Sequence, residues 1–517
     1  METLTTVVLG LCVLTLAFLW LKWVYAFKLL VFPPGPQGYP IIGNVFDIPS
    51  TMPWIAFQKM AKVHGDIMYF KVPMQEVVVL GSAEVVFDLL EKRSEIYSDR
   101  PQVLMYNLTS LEKIFPLMGY TPEWRYQRRE FHQYFQQHEI SKYQSVQRRQ
   151  CLAFLKRTLD DPSQLAQHIR LVNTANILKI VYDMEINSLQ DEYIQLASTI
   201  VQAIAVVSVP GKFLVEFFPL LRYIPSWLPG AYFQKYAESI REAASQMRNA
   251  PFDTVKKKMA DGKAGPSMTA DLLEKLDREA DDDIDKKVKE NHLRNITATA
   301  YVGAADTTTD TMQTFFVAMS LYPDVQQKAR MELDRVVGPD RLPEFGDYEN
   351  LIYTRAVVLE TIRWMPVAPI GFPRRVTRDD NYRGFHIPKG ATVLANVWAM
   401  LHNPEDFPQP GRFNPDRFIK DGRLNPDVRD PLTIAFGFGR RICPGRWFAS
   451  TSIFLVVANA LHTLNIDPIL DKEGKTHDPF SIILDGLKMH YEHVPCSVTP
   501  RSASVKHLVS ELVSSQE

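Results

Sequence analysis

The chain opens on an apolar run. From Thr5 to Leu21 it reads TTVVLGLCVLTLAFLWL without a charge, which at about 1.5 Å per residue predicts a helix spanning most of a bilayer core of about 30 Å. Trp20, Trp23 and Tyr25 stand where an aromatic belt would, Lys22 and Lys28 follow, and only Glu2 precedes. That asymmetry predicts a lumenal amino terminus and a cytosolic body. No basic segment precedes the run and no small-x-small site follows it, so an uncleaved anchor is expected rather than a signal peptide. Pro33, Pro34, Gly35 and Pro36 then stop the helix and set anchor apart from body.

Beyond this break the period changes. IMYFKV and EVVVL, between Ile67 and Leu80, alternate as two strands around Pro73, and Ser82 is placed to cap a helix through Lys92. From about Trp124 to Ala260 the apolar spacing is helical, with breaks at Pro210, Pro219, Pro225 and Pro229. DGKAGPSMT at 261–269 and the acidic run near Asp281 read as exposed loop. A proline-free helical pattern then runs from about Ile284 to Tyr322, long enough to cross a core. Strand signals return at 375–377, 382–385 and 392–395, with Pro388, Lys389 and Gly390 turning between the last two. The serine-rich end reads as loose. The expected fold is mainly α with small β-sheets (α+β): anchor and flank at 1–32, one catalytic domain at 33–500 with a hinge at 33–40, and a tail at 501–517.

Composition narrows the function. Across 517 residues, 46% of them hydrophobic, 58 Lys and Arg oppose 59 Asp and Glu for a net charge of -1, so no global basic field exists to hold nucleic acid. Cys12, Cys151, Cys443 and Cys496 form no CxxC pair, which argues against a disulfide framework or a cysteine-rich zinc module.

A lone cysteine usually packs as a small buried thiol, and Cys12, Cys151 and Cys496 read that way. Cys443 differs. It lies in FGFGRRICPGRWFA at 436–449, between glycines, beside arginines and just ahead of a helix-forming run, a setting that favours a thiolate able to ligate iron. Phe436, Gly439, Arg441, Cys443 and Gly445 match FxxGxRxCxG, the haem-binding signature of the cytochrome P-450 family, at every fixed position. The resemblance extends over almost the whole chain: the PPGP hinge at 33–36, Glu360-Thr361-Ile362-Arg363 as ExxR, and Phe413-Asn414-Pro415-Asp416-Arg417-Phe418 in the place of PERF.

The resemblance implies haem b with the Cys443 sulfur as axial ligand, an anionic donor that favours O–O cleavage. It implies a buried triad of Glu360, Arg363 and Arg417 that serves folding and haem retention, and cations for the haem propionates at Trp124 and Arg128 (WxxxR), Arg100, Arg374 and Arg441. In Gly303-Ala304-Ala305-Asp306-Thr307-Thr308 it implies a groove for oxygen, with Thr307 holding dioxygen and its waters and Asp306 relaying protons. Small residues let a helix approach a flat cofactor, and a threonine hydroxyl can bond back to the carbonyl of Gly303 and loosen the helix.

By the same resemblance the substrate pocket is expected among 101–116, 299–304, Val367, Ala368, Ile370 and Phe372, and Leu484 and Leu487, a mostly apolar set suited to a lipophilic molecule. The chain carries no GxGxxG after a strand and no P-loop, so electrons are expected from an NADPH-dependent flavoprotein reductase, docked on Arg125, Arg129, Arg440 and Arg446. The expected activity is insertion of one oxygen atom from O2 at the endoplasmic reticulum membrane. Details of 436–449 and of CSVTPRSAS look similar to fungal enzymes of terpenoid, polyketide or indole-derived pathways. Two readings stay open: a haem-thiolate isomerase or dehydratase that uses no external electrons, and a nonenzymatic membrane haem carrier.

Overall fold

The structure, a computed structural model, describes residues 30–515 apart from 50, 187, 189, 209–211, 280–281, 472, 477, 479–482, 486–487 and 492–493. The expected anchor at Thr5–Leu21 and Cys12 lie outside the described residues. Among the described residues no helix is long and apolar enough to cross a membrane.

Helix α1 (Pro53–His64) leads into strands β1 (Ile67–Val72) and β2 (Gln75–Leu80). The helix expected after Ser82 is split into an α segment, Ala83–Val86, and a π segment, Phe87–Lys92; Ser82 sits at the N-cap, but its buried hydroxyl makes no bond. The helical body follows as α2 (Leu104–Thr109), α3 (Pro122–Phe135), α4 (Gln144–Asp160), α5 (Leu165–Tyr182), α6 (Glu192–Val207), α7 (Tyr232–Ala260) and α8 (Met268–Glu279). The long helical pattern becomes α9 (Asp283–Ala305) and α10 (Thr307–Leu321), interrupted at Asp306. Helices α11 (Pro323–Val336) and α12 (Ile352–Trp364) precede a strand-rich stretch: β3 (Arg374–Arg375), β4 (Asp380–Tyr382), β5 (Phe385–Ile387) and β6 (Thr392–Ala395). Last come α13 (Arg446–Thr463), β7 (Leu464–Pro468), β8 (Ile483–Asp485), β9 (Lys488–His490), β10 (Cys496–Pro500) and α14 (Ala503–Ser514).

The main sheet has the order β1-β2-β6-β3. The hairpin partners Ile67 with Leu80, β6 runs parallel to β2 with Val77 opposite Thr392, and β3 closes antiparallel with Arg374 opposite Val393. Side-chain alternation sends Met68, Phe70, Val77 and Val79 into a small core with Phe57 and sends Ile67, Val78 and Leu80 into a second one with β6. The larger cores lie around α9 and α10. Thr308 to Ser320 is buried on every side, which identifies α10 as a central helix rather than an amphipathic surface one.

The carboxyl end departs from the loose tail that its serine content suggests. Ser502 accepts the Val505 amide as an N-cap, Val509 is fully buried, and Leu508 and Leu512 pack on the same core. Arg501 fastens the start of this segment through hydrogen bonds of 3.0 and 2.9 Å to the Asp334 carboxylate.

Candidate functional site

Backbone bonds, rather than regular structure, shape the segment that carries Cys443. The Cys443 amide donates to the Phe436 carbonyl at 2.7 Å, and Arg446 Nη1 donates to the Cys443 carbonyl at 3.3 Å. Gly439 has φ 52° and packs so closely on the preceding π segment that a Cβ there would lie 2.3 Å from the Leu90 carbonyl oxygen. No other residue fits. Gly445 is in open space, and its contribution is an N–H directed at the Cys443 sulfur. Cys443 is half-buried, whereas Cys151 and Cys496 are buried.

Burial pushes the Cys443 thiol above its ordinary value, and the Gly445 N–H, Arg128 and Arg446 oppose that push without overcoming it. The surroundings alone therefore do not hold the thiolate that the sequence suggests. Coordination to a metal ion would, because a coordinating thiol is deprotonated outright.

Around this loop lie the arginines expected at propionates. Arg441 rests over the Trp124 ring at 4.0 Å and donates through Nε to the Ser98 carbonyl (2.7 Å) and through Nη2 to the Met118 carbonyl (2.8 Å). Its Nη1 and the Trp124 Nε1 are both buried with no acceptor among the described residues. Arg128 forms no salt bridge or side-chain hydrogen bond among them either, and its charge acts on the Cys443 sulfur. Arg374 donates to the carbonyls of Phe438 (2.7 Å) and Leu90 (3.4 Å), and Arg100 to those of Pro116 (2.7 Å), Phe372 (3.0 Å) and Pro373 (2.5 Å). Both buried guanidiniums thus tie loops together.

Burial depresses these cations: Arg441 to about 8, Arg374 to about 9, and Arg100 and Arg128 to about 10, with Arg100, Arg374 and Arg128 adding repulsion at Arg441. A guanidinium keeps its proton in a protein. The cluster is therefore short of negative charge, and two unused donors, Arg441 Nη1 and Trp124 Nε1, are available to an anionic group. These residues fit the carboxylates of a haem.

The second half of the site is the interruption between α9 and α10. Gly303 and Thr307 are exposed although Val302, Ala305, Asp306 and Thr308 are buried, so a strip of small and polar surface opens in the middle of a core helix. The Thr307 hydroxyl donates to the Gly303 carbonyl at 2.9 Å, the back-bond expected from the sequence, and Thr309 repeats it onto Ala305. Asp306 does not bond to Thr307. Its carboxylate accepts from Lys488 Nζ at 2.7 Å, and the same ammonium reaches Asp310 at 3.1 Å.

The buried triad forms as expected. Arg363 grips Glu360 with Nε at 2.7 Å and Nη2 at 2.9 Å, and Arg417 Nε adds a third contact at 3.3 Å. The Asn414 amide donates to the same carboxylate at 2.7 Å.

Among the expected pocket residues, Val367 and Ala368 are half-buried and Phe372 is exposed, under Arg100. Ile370 is buried within the core that holds α12 and α13, so it packs the interior. Leu487 lies outside the described residues; Leu484 belongs to β8, which pairs with β9 through Met489. The Phe115 amide donates to Thr299 Oγ1 at 3.3 Å, which joins the 101–116 segment to α9. The Glu216 carboxylate accepts the amides of Leu104 and Met105 at 2.9 and 2.8 Å, pinning α2 to the segment between α6 and α7.

The sequence reading missed Lys488, Asp310, Arg170 and Glu216. One signal was available: Asp306 and Asp310 are four apart on a helix, where like charges repel unless a cation joins them.

Comparison with known proteins agrees with this geometry. The family model for cytochrome P-450 matches residues 33–490. The cytochrome P-450 monooxygenase COX2 of Coprinopsis cinerea is 37% identical over 94% of this chain and 92% of its own length. The cytochrome P-450 monooxygenase claR of Ampulloclitocybe clavipes is 35% identical over 98% of this chain and 92% of its own. The tryptamine 4-monooxygenase of Psilocybe cyanescens is 36% identical over 92% of this chain and 94% of its own.

Proposed function

The chain belongs to the cytochrome P-450 family, and from that premise we propose that it is a haem-thiolate monooxygenase of fungal natural-product metabolism, in which Cys443 would hold the iron of haem b. Bound haem supplies reductive activation of O2, with NADPH-derived electrons, and transfer of one oxygen atom to a C–H bond. The observation that carries the assignment is the pair of buried, unused donors on Arg441 and Trp124, next to the unpaired Arg128 whose charge falls on the Cys443 sulfur. Those donors and Arg128 would hold the propionates, with Arg100 and Arg374 bracing the loops behind them, while Phe436, Gly439 and Gly445 shape the loop and direct an N–H at sulfur.

The Thr307 hydroxyl is poised to exchange its bond to Gly303 for one to water or substrate oxygen, and Asp306 carries protons to it. Half-buried Val367 and Ala368 present an apolar wall, which suits a lipophilic terpenoid, polyketide or indole-derived substrate. Arg125, Arg129, Arg440 and Arg446 form no salt bridge with a carboxylate among the described residues; Arg125 and Arg440 flank the Tyr120 ring at 5.8 and 5.4 Å. That basic face suits an acidic flavoprotein reductase.

The domain plan keeps the anchor at 1–32 ahead of the catalytic body from 33, which locates the enzyme on the cytosolic side of the endoplasmic reticulum membrane. Exposed Phe218, Leu220, Tyr223 and Trp227, between α6 and α7, add an apolar surface suited to lipid.

The test is Cys443→Ala. The wild-type protein, reduced under carbon monoxide, is expected to give the red-shifted band of a thiolate-ligated haem, and the variant to lack it. A normal band in the variant would remove Cys443 from the iron.

A further inference from the structure

The junction between α9 and α10 places Asp306 and Asp310 on one face, 9% and 5% exposed. Two carboxylates so close in the interior would repel, yet they share one ammonium. Lys488 reaches them from β9, its side chain 14% exposed, with Nζ at 2.7 Å from Asp306 Oδ2 and 3.1 Å from Asp310 Oδ2. A second cation, Arg170 on α5, stands 4.0 Å from Asp306 Oδ1 with its side chain 45% exposed. The cluster therefore runs from a half-exposed guanidinium, through Asp306 and Lys488, to the buried carboxylate of Asp310 on α10.

Resting on the monooxygenase reading above, we propose that Lys488 is a positioning residue that joins Asp306 and Asp310 into one proton-holding unit, recharged from solvent past Arg170 and discharged toward Thr307.

The charge balance supports it. Two carboxylates share one buried ammonium, and the second cation, Arg170, stands half-exposed at 4.0 Å from Asp306, so within the interior the carboxylates outnumber the cations; one added proton evens them. Three groups face Asp310: Asp306 from its own helix face, Lys488 from β9 and Arg170 from α5. Burial raises Asp310 to about 7 and the charge on Asp306 adds to the rise, while Lys488 and Arg170 oppose it. Lys488 stays charged, because the carboxylates outweigh the burial that disfavours its ammonium. Near neutral pH Asp310 thus takes up and gives up a proton readily.

Discharge balances simply. The O–H bond of the Asp310 carboxyl breaks, the Asp306 carboxylate gains the proton, Lys488 remains an ammonium, and solvent later returns a proton to Asp310. With Asp306 neutral, its bond to Lys488 weakens and the side chain is free to rotate toward the adjacent Thr307 hydroxyl. Loss of Lys488 removes the attraction that keeps either carboxylate ionised, so the titration moves upward.

The experiment uses the haem-loaded full chain, wild type and Lys488→Met, Lys488→Arg and Asp310→Asn. In the resting protein, without substrate or reductase, infrared spectra across pH follow the carbonyl stretch of a protonated carboxylic acid. Wild type is expected to show a titrating band with its midpoint near neutral pH, absent in Asp310→Asn. The midpoint moves up by at least about one pH unit in Lys488→Met and returns toward wild type in Lys488→Arg. With reductase and a lipophilic substrate, Lys488→Met sends at least about threefold more of the NADPH electrons to hydrogen peroxide, and Lys488→Arg recovers most of the coupling. An unmoved midpoint or unchanged coupling in Lys488→Met overturns the proposal, as does a titrating band that survives in Asp310→Asn. Should Lys488→Met not load haem, Lys488→Arg and Asp310→Asn still decide it: Asp310→Asn must abolish the pH dependence of coupling. A normal carbon monoxide band in wild type, together with product labelled by isotopic dioxygen, keeps the monooxygenase reading standing whichever way this comes out.

Discussion

Two groups of buried arginines lie within this fold, and they are bonded in opposite ways. Arg363 and Arg417 surround the Glu360 carboxylate, and Arg363 spends its remaining N–H bonds on the carbonyls of Leu401 (3.0 Å) and Pro410 (2.9 Å). Among the described residues Arg128 and Arg441, with Arg100 and Arg374 behind them, form no salt bridge with a carboxylate, and Arg441 keeps one N–H without an acceptor. The first group is complete within the chain; the second is complete only with an anion from outside it. Charge taken from water without a partner is costly; Arg128 and one N–H of Arg441 bear that cost among the described residues, which supports a ligand site there, while the pairing around Glu360 acts as a fastening.

The sharpest way to break this distinction is to remove a carboxylate from the fastened group. Glu360→Ala leaves Arg363 and Arg417 buried and unpaired and the Asn414 amide without its acceptor, and should cost about 3–5 kcal/mol of stability. Denaturant unfolding of the haem-free protein would read it. A loss below about 1 kcal/mol would mean that the pairing holds nothing.

The opposite result is expected from Arg128→Leu. Arg128 has no side-chain hydrogen bond or salt bridge among the described residues, so haem-free stability should stay within about 0.5 kcal/mol of wild type. Haem affinity should fall on the order of tenfold, since a charge-assisted bond to a propionate is lost. Haem transfer to an acceptor protein separates the two effects. Equal loss of stability and of haem affinity would merge the two groups into one.

The same contrast explains what could be read in advance. Glu360 and Arg363 are joined by i, i+3 spacing and the Cys443 loop is marked by its glycines and arginines, so local sequence carried those, but Arg417 is 57 residues from Glu360 and only the family resemblance put it beside them. The long helical pattern was legible from period, and so was the back-bond of Thr307 to Gly303. The local loosening expected there corresponds to the interruption at Asp306, although periodicity alone does not register it. Lys488 was invisible for a different reason. It meets Asp306 from a hairpin far along the chain, and nothing local to a lysine in a short strand says which carboxylate it will face. Likewise α14 reads as polar tail until β10 pairs with β7 and delivers Val509 to the core; serine content describes its exposed face only.

Asp99 belongs in part to both groups, and it gives the smallest and finest test. Its Oδ2 accepts from Arg375 Nε at 2.8 Å and Nη2 at 2.5 Å, and its Oδ1 accepts the Tyr120 amide at 2.7 Å. Burial alone would raise this carboxyl; the amides of Tyr120 and Arg100 and the Arg375 guanidinium overcome burial and hold it below its ordinary value. Its charge also eases Arg100 and Arg441. A carboxyl depressed in the fold stabilises above its ordinary pKa and loses that contribution as pH falls through the folded value. Asp99→Asn should therefore cost about 0.5–1 kcal/mol at neutral pH, and the gap from wild type should close under acid, as followed by thermal midpoints across pH. In the haem-loaded protein the gap should be smaller, since propionates then supply the negative charge that Asp99 lends to Arg100 and Arg441. A gap that keeps its size in acid would show that Asp99 acts by shape and not by charge, and one that ignores haem would separate Asp99 from the cations awaiting an anion.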